Sequence, residues 1–197
     1  MRSLVFRRCY SNHIDLYNCL TFAPTEQLNL KSDTHGPLKD WSVIVKDNIA
    51  VEDWPMTCAS AALKDFISPY SADAVKNILD AGTSIIGKGN MDEFGMGSKG
   101  CRSVFGRTRN PLNLHKSAGG SSSGNAAAVA SGLARLGIGS DTGGSVRLPA
   151  SFTGIVGFKP SWAALSRYGL VSYAPSMDTI GLMTKTVSDC LQAFSTN

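Results

Sequence analysis

The chain has 197 residues, 43% hydrophobic and 17% charged, with a formal net charge of +4. That length suits one medium domain, and this balance excludes intrinsic disorder as well as collagen-like or coiled-coil sequence. No apolar run approaches the roughly 18 residues of a bilayer span, and five scattered cysteines (Cys9, Cys19, Cys58, Cys101, Cys190) without a C-x-x-C pair argue against a disulfide scaffold or structural zinc.

Three of the four net charges lie in the first ten residues, as Arg2, Arg7 and Arg8; the body is close to neutral and offers no case for a nucleic-acid-binding face. The leader MRSLVFRRCYSN carries no acid and mixes arginine, serine and apolar residues, the composition of a mitochondrial presequence, here placed at 1–10. Residues 11–40 are polar and punctuated by Pro24, Gly36 and Pro37, and read as a surface lead-in with at most a short helix.

From Trp41 to Val51 the β-branched centre Val43-Ile44-Val45 predicts a buried strand with Lys46 towards its end. Ala74, Val75, Ile78, Leu79 and Ala81 recur at helical spacing, with Ser71 as N-cap, Asp73 in the first turn and Gly82 as stop. Thr83–Gly87 predicts another short buried strand. Gly and Ser fill more than half of 117–145, yet they enclose the alanine-rich stretch Asn125–Ala134, which predicts a helix packed closely on something flat, ahead of a strand at Leu136–Ile138. A helix begins just after Ser145. The tail predicts a strand at Gly154–Phe158, a loop, and a helix from near Thr186 with Val187, Leu191 and Phe194 inward. Helices alternating with short apolar strands indicate an α/β layered fold. The last helix has no strand after it to complete a crossover, which suggests part of a longer protein.

Several motifs match only by letters. Gly82-x4-Gly87-Lys88 has Gly89 where a P-loop needs Ser or Thr, and its interior TSII is strand-like. Gly95-x-Gly97-x-x-Gly100 lacks the strand and helix of a dinucleotide site. Gly120-x-Ser122-x-Gly124 imitates a nucleophile elbow, but His13, His35 and His115 all precede it, which excludes the Ser-Asp-His chain order. The histidines show no metal-ligand spacing, and no metal is expected.

What remains is a serine site without a histidine. In Asp141-Thr142-Gly143-Gly144-Ser145, two glycines before a serine at a strand-to-helix turn let backbone N–H groups converge as an oxyanion hole, each donor being worth roughly 3–4 kcal/mol. Without a suitable histidine, the base would be a buried neutral lysine. Lys46 is the one lysine read as lying inside an apolar strand, and bringing its pKa near 7 takes about 4–5 kcal/mol of desolvation. Taken alone, Lys46 reads better as an ordinary strand-end lysine reaching solvent.

From about Trp41 to Cys190 the chain resembles the amidase signature family. The resemblance rests on VKDNI (45–49), GKGNMDEFGMGS (87–98), FGRTRNP (105–111), GGSSSGNAAAVASG (119–132), GSDTGGSVRLPAS (139–151), GFKP (157–160) and SRYGLV (166–171). NMDEFGMG and SRYGLV lean towards the A-type branch of the glutamyl-tRNA(Gln) amidotransferase subunits. The resemblance implies an amidase-signature α/β fold, a mixed sheet covered by helices, with 41–197 as its N-terminal half and the C-terminal part incomplete.

It also implies a Ser–Ser–Lys triad: Ser145 as nucleophile, Ser121 as bridging serine held by a cis peptide bond, and Lys46 as neutral base. N–H groups of Thr142, Gly143, Gly144 and Ser145 would hold the oxyanion, with Asp141 and Arg147 as supports behind them and Met96 as a pocket wall. The implied activity is glutamine hydrolysis supplying ammonia for transamidation of Glu-tRNA(Gln) in the mitochondrial matrix. The implied partners are a B-type subunit that uses ATP and Mg and a small third subunit; the chain itself would hold no cofactor and contact tRNA mostly through them. A stand-alone amidase on another small amide and a catalytically silent assembly module are the alternatives. Ser123 and Asn125 stand where the family more often has Gly and Ser, so Ser123 tests whether the turn closes. Family members generally exceed 400 residues, and the 197 residues alone are expected to bury too little of their sheet to be active.

Overall fold

The computed structural model describes residues 15–24 and 35–196; the expected presequence at 1–10 lies outside them. Six strands form one mixed sheet in the order β1-β3-β2-β6-β8-β7, comprising β1 (Leu20–Phe22), β2 (Ser42–Lys46), β3 (Ser84–Gly89), β6 (Leu136–Asp141), β7 (Val156–Phe158) and β8 (Thr179–Thr184). β2 runs parallel to both β3 and β6, whereas β1, β7 and β8 pair antiparallel with their neighbours. A small hairpin of β4 (Arg109–Asn110) and β5 (Asn113–Ser117) stands apart. The carboxyl ends of the parallel strands, Lys46, Gly89 and Asp141, therefore lie along one edge, where open α/β sheets place their sites.

Alternation along β2 divides the core. Val43 and Val45 face the larger apolar layer, shared with Trp54 and with helices α1 (Asp73–Asp80) and α4 (Val187–Phe194), which bury Val75, Ile78, Cys190 and Ala193 there. Ile44 faces the other layer, against Ala126–Val129 of α2 (Ser123–Ser131) and against Val146, which caps the short helix α3 (Arg147–Thr153). α2 lies close on the sheet because β6 shows it glycine: a Cβ at Gly137 would meet Asn125 Cβ at 3.3 Å, and one at Gly139 would meet Ser122 Oγ at 2.9 Å. Asn125 fixes this approach, its Nδ2 donating to the carbonyls of Ile44 (3.1 Å) and Ile138 (2.9 Å). Gly132, left-handed at φ 83°, ends α2 three residues before the expected stop at Ala134.

Several expectations are corrected. The lead-in segment supplies the edge strand β1 and the fully buried Cys19 and Leu38. Ser71 does not cap α1: its hydroxyl accepts from the Glu52 N–H at 2.9 Å, and Ala72 occupies the cap position. β3 does not stop at Gly87. It continues to Gly89, because Gly87 is a close approach rather than a terminator, a Cβ there falling 2.5 Å from the Phe22 carbonyl oxygen of β1. Lys88 is thus a second lysine inside a buried strand, and Lys46 is not the only one. The loop expected between Phe158 and Thr186 contains β8, buried along its whole length between β6 and β7. On α4 the inward face is Cys190 and Ala193, with Phe194 edge-on to Phe158; Val187 and Leu191 are 72% and 64% exposed. The i, i+4 spacing marked one stripe of that helix, and the sheet took the neighbouring one.

Candidate active site

Lys46 closes β2, and its side chain is fully buried. Its Nζ lies 2.7 Å from Ser121 Oγ, 2.8 Å from Ser140 Oγ and 3.2 Å from the Ser140 carbonyl oxygen. Burial drives its pKa from 10.5 down to about 7, against the opposing pull of Asp141, Asp92, Cys58 and Asp178. A neutral amine has two N–H groups and one lone pair, and these partners match that inventory. The carbonyl can only accept, whereas either hydroxyl can donate into the lone pair. Asn48 Nδ2 also donates to Ser140 Oγ (3.1 Å) and steadies it.

Ser121 sits in the turn before α2, fully buried, after the cis Gly120–Ser121 peptide. The Asp92 N–H donates to its carbonyl at 3.1 Å. Ser123, the position at which the turn was in question, has no left-handed φ and is accommodated inside α2, its Oγ 2.9 Å from Thr108 Oγ1 and 3.3 Å from the Asn90 carbonyl oxygen.

Ser145 lies in the turn from β6 to α3 and is half-buried. The Ser122 N–H donates to the Ser145 carbonyl at 3.1 Å, which brings this turn against the Lys46–Ser121 pair. The Ser145 hydroxyl has no hydrogen-bond partner among the described residues. Such contacts are commonly loose before substrate binds.

Asp141 organises that turn. Its carboxylate accepts from the N–H groups of Gly144 (2.7 Å), Val146 (3.0 Å) and Arg147 (3.2 Å), and from the Arg147 guanidinium in a two-pronged contact of 2.9 and 3.0 Å. Burial pushes its carboxyl up, but Arg147 and the backbone donors outweigh this and hold it below the usual carboxylate range. Of the four N–H groups expected to face an oxyanion, Gly144's is therefore given to Asp141. Those of Gly143 and Ser145 have no acceptor among the described residues, and a Cβ on Gly143 would meet nothing within 4 Å.

Met96, 49% exposed, lines a cleft of about 350 Å³ with Asp92, Gly97, Ser98, Lys99, Arg102 and Tyr173. The cleft lies near Ser121: Gly95, the neighbour of Met96, would place a Cβ 3.8 Å from Ser121 Oγ. Sequence reasoning missed Ser140, although it lies within the GSDTGGS stretch, one residue past the β6 position that the parallel register sets level with Lys46. It missed Asp92 too, whose carboxylate accepts the N–H groups of Gly100, Cys101 and Arg102 and shapes the cleft wall. No helix among the described residues is long and apolar enough to cross a membrane.

Known proteins resemble this chain in both sequence and fold. The A-type subunit of the glutamyl-tRNA(Gln) amidotransferase of Symbiobacterium thermophilum is 54% identical over 159 residues, 81% of this chain and 33% of that protein. The crystal structure of the corresponding A-type subunit from Thermotoga maritima superposes with a TM-score of 0.86 at 43% identity, over 92% of this chain and 39% of that one. The native peptide amidase of Stenotrophomonas maltophilia gives 0.78 at 38% identity, over 82% and 34%. The chain thus spans between a third and two fifths of the length of these relatives. The sequence profile of the amidase family matches residues 11–196, nearly the whole of the chain, and this protein belongs to that family.

Proposed function

We propose that this chain forms part of the glutamine-hydrolysing A-type subunit of a glutamyl-tRNA(Gln) amidotransferase. Ser145 Oγ attacks the side-chain amide carbon of glutamine; its proton passes to Ser121 Oγ while the Ser121 proton passes to Lys46 Nζ. The carbonyl π pair moves onto oxygen, which the N–H groups of Thr142, Gly143 and Ser145 receive; Gly144 contributes by fixing the turn to Asp141. Collapse of the adduct breaks the C–N bond, and Lys46 returns its proton through Ser121 to the departing ammonia. Water then hydrolyses the glutamyl ester by the same relay.

The released ammonia would pass to a B-type partner, assisted by a small third subunit, which activates Glu-tRNA(Gln) with ATP and Mg. Residues 1–10 would direct the protein to the mitochondrial matrix, which a fluorescent fusion with and without those residues tests. The observation that carries this reading is the 2.7 Å contact between a fully buried Lys46, brought to about 7, and the Ser121 hydroxyl.

The test is ammonia release from glutamine by the full-length protein in its complex, with Ser145→Ala as the decisive variant. Complete loss is expected. Turnover that survives Ser145→Ala overturns the mechanism, and a partner-free enzyme that prefers simple aliphatic or aryl amides to glutamine overturns the substrate.

A further inference from the structure

Asp178 is a buried carboxylate that the proton relay does not use. It is 2% exposed and stands immediately before β8, where pairing of Thr179 with Asp141 brings it beside the turn that carries Ser145. Its Oδ1 accepts from Thr142 Oγ1 at 2.6 Å and from the Ala174 N–H at 3.0 Å. Its Oδ2 accepts from the Tyr173 N–H at 2.8 Å, the Ser172 hydroxyl at 3.1 Å and, again, the Ala174 N–H at 3.0 Å. A carboxylate offers about four acceptor sites and no donor, and four donor groups converge here. The set is filled from two directions: one donor belongs to the Ser145 turn, and three belong to segment 172–174, which carries Tyr173 onto the cleft.

We propose that Asp178 is a positioning residue for the hydrolysis, a clamp that fixes the Ser145 turn and the Tyr173 wall of the cleft relative to one another. Asp141 holds the turn through Gly144, Val146 and Arg147, and Asp178 holds its leading residue, Thr142. Without the second tie, Thr142 and the Tyr173 segment no longer share an anchor, and nucleophile and substrate wall lose a common frame. Both carboxylates also lie among the four groups, with Asp92 and Cys58, that favour the charged form of Lys46. The kinetic consequence rests on the hydrolytic function proposed for Ser145, but the structural tie can be measured independently.

The experiment uses the full-length protein in its complex. Asp178→Asn keeps size but presents an NH2 group to donors. It should lower kcat about tenfold to a hundredfold, as a misplaced reacting group does, with KM moving by less than about threefold. Because one anion facing Lys46 is removed, the acid limb of the rate profile should move to slightly lower pH. In a Ser145→Ala background, where chemistry is silent, hydrogen exchange should rise in 142–145 and 172–174 together. Thr142→Val cuts only the tie to the turn, which keeps the clamp open to refutation if Asp178→Asn fails to fold; exchange should then rise in 142–145 while 172–174 stays protected, with a smaller fall in kcat. Unchanged kcat in Asp178→Asn, or exchange rising in only one of its two segments, overturns the proposal. Activity surviving in Ser145→Ala overturns the role of Ser145 as nucleophile alone, and the exchange result then decides the clamp.

Discussion

Two lysines are buried at neighbouring strand ends, and their surroundings differ in kind. Both are fully enclosed, and burial lowers both, Lys46 to about 7 and Lys88 to about 8. Lys88 pairs with Val45 rather than with Lys46, so it points into the opposite layer of the sheet. There it donates to the Ile49 carbonyl and lies in the field of Asp47, which itself accepts from Thr57 and Ala59. Lys46 instead meets two serine hydroxyls beside an open cleft. A carbonyl cannot pass a proton onward, but a hydroxyl can. A lowered pKa marks desolvation, and the partner set decides whether the amine can do chemistry.

The largest expected effect separates the two sites directly. Lys46→Met should cut glutamine turnover about a thousandfold, within the usual range for a removed general base, while Lys88→Met leaves kcat nearly unaltered. Equal losses in steady-state assays of the two variants would erase the distinction. Stability should not separate them. Lys88→Met strips the Ile49 carbonyl of its donor and should cost about 1–3 kcal/mol in urea titration, and Lys46→Met, which leaves the buried Ser121 hydroxyl and Ser140 carbonyl without that partner, should cost a similar amount.

The pH dependence sharpens the comparison. Both amines have folded pKa values below their unfolded value of 10.5, so between about pH 7 and 9 the unfolded chain holds protons that the folded chain lacks. Unfolding free energy should therefore rise with pH across that window, and each Met substitution should flatten part of the rise. Above pH 9 the buried Cys58, pushed up to about 12, acts in the opposite sense. Activity carries the Lys46 signature alone, with kcat/KM falling about tenfold per unit below pH 7. The smallest effect belongs to the Gly/Ser turn. Ser123→Ala loses a buried hydroxyl contact to Thr108 and should cost about 1 kcal/mol without touching kcat.

Much of this was legible in the residues. The Val43–Lys46 strand, the alanine-rich helix, the strand at Leu136 and the helix after Ser145 all follow local composition, short apolar or small-residue runs bounded by glycine and serine turns. The alanine-rich stretch Asn125–Ala134 announced a close approach without naming the surface approached, which is β6 at Gly137 and Gly139. β8 escaped because an apolar run after a long loop, buried on both faces, shows no alternation. Ser71 and the stripe of α4 were misread because a cap and an inward face depend on what lies opposite, and opposite them lie Glu52 and the sheet edge at Phe158.

Residue order alone was enough for the chemical types: a serine in a glycine turn, a lysine at a strand end, and no histidine placed to serve them. It took the folded arrangement to bring Lys46 down to about 7, to let Ser140 share it, to turn Lys88 the other way, and to tie Asp178 both to the Ser145 turn and to the segment that carries Tyr173 onto the cleft. Desolvation and strand order are sums over segments distant along the chain, and neither is written in any one of them.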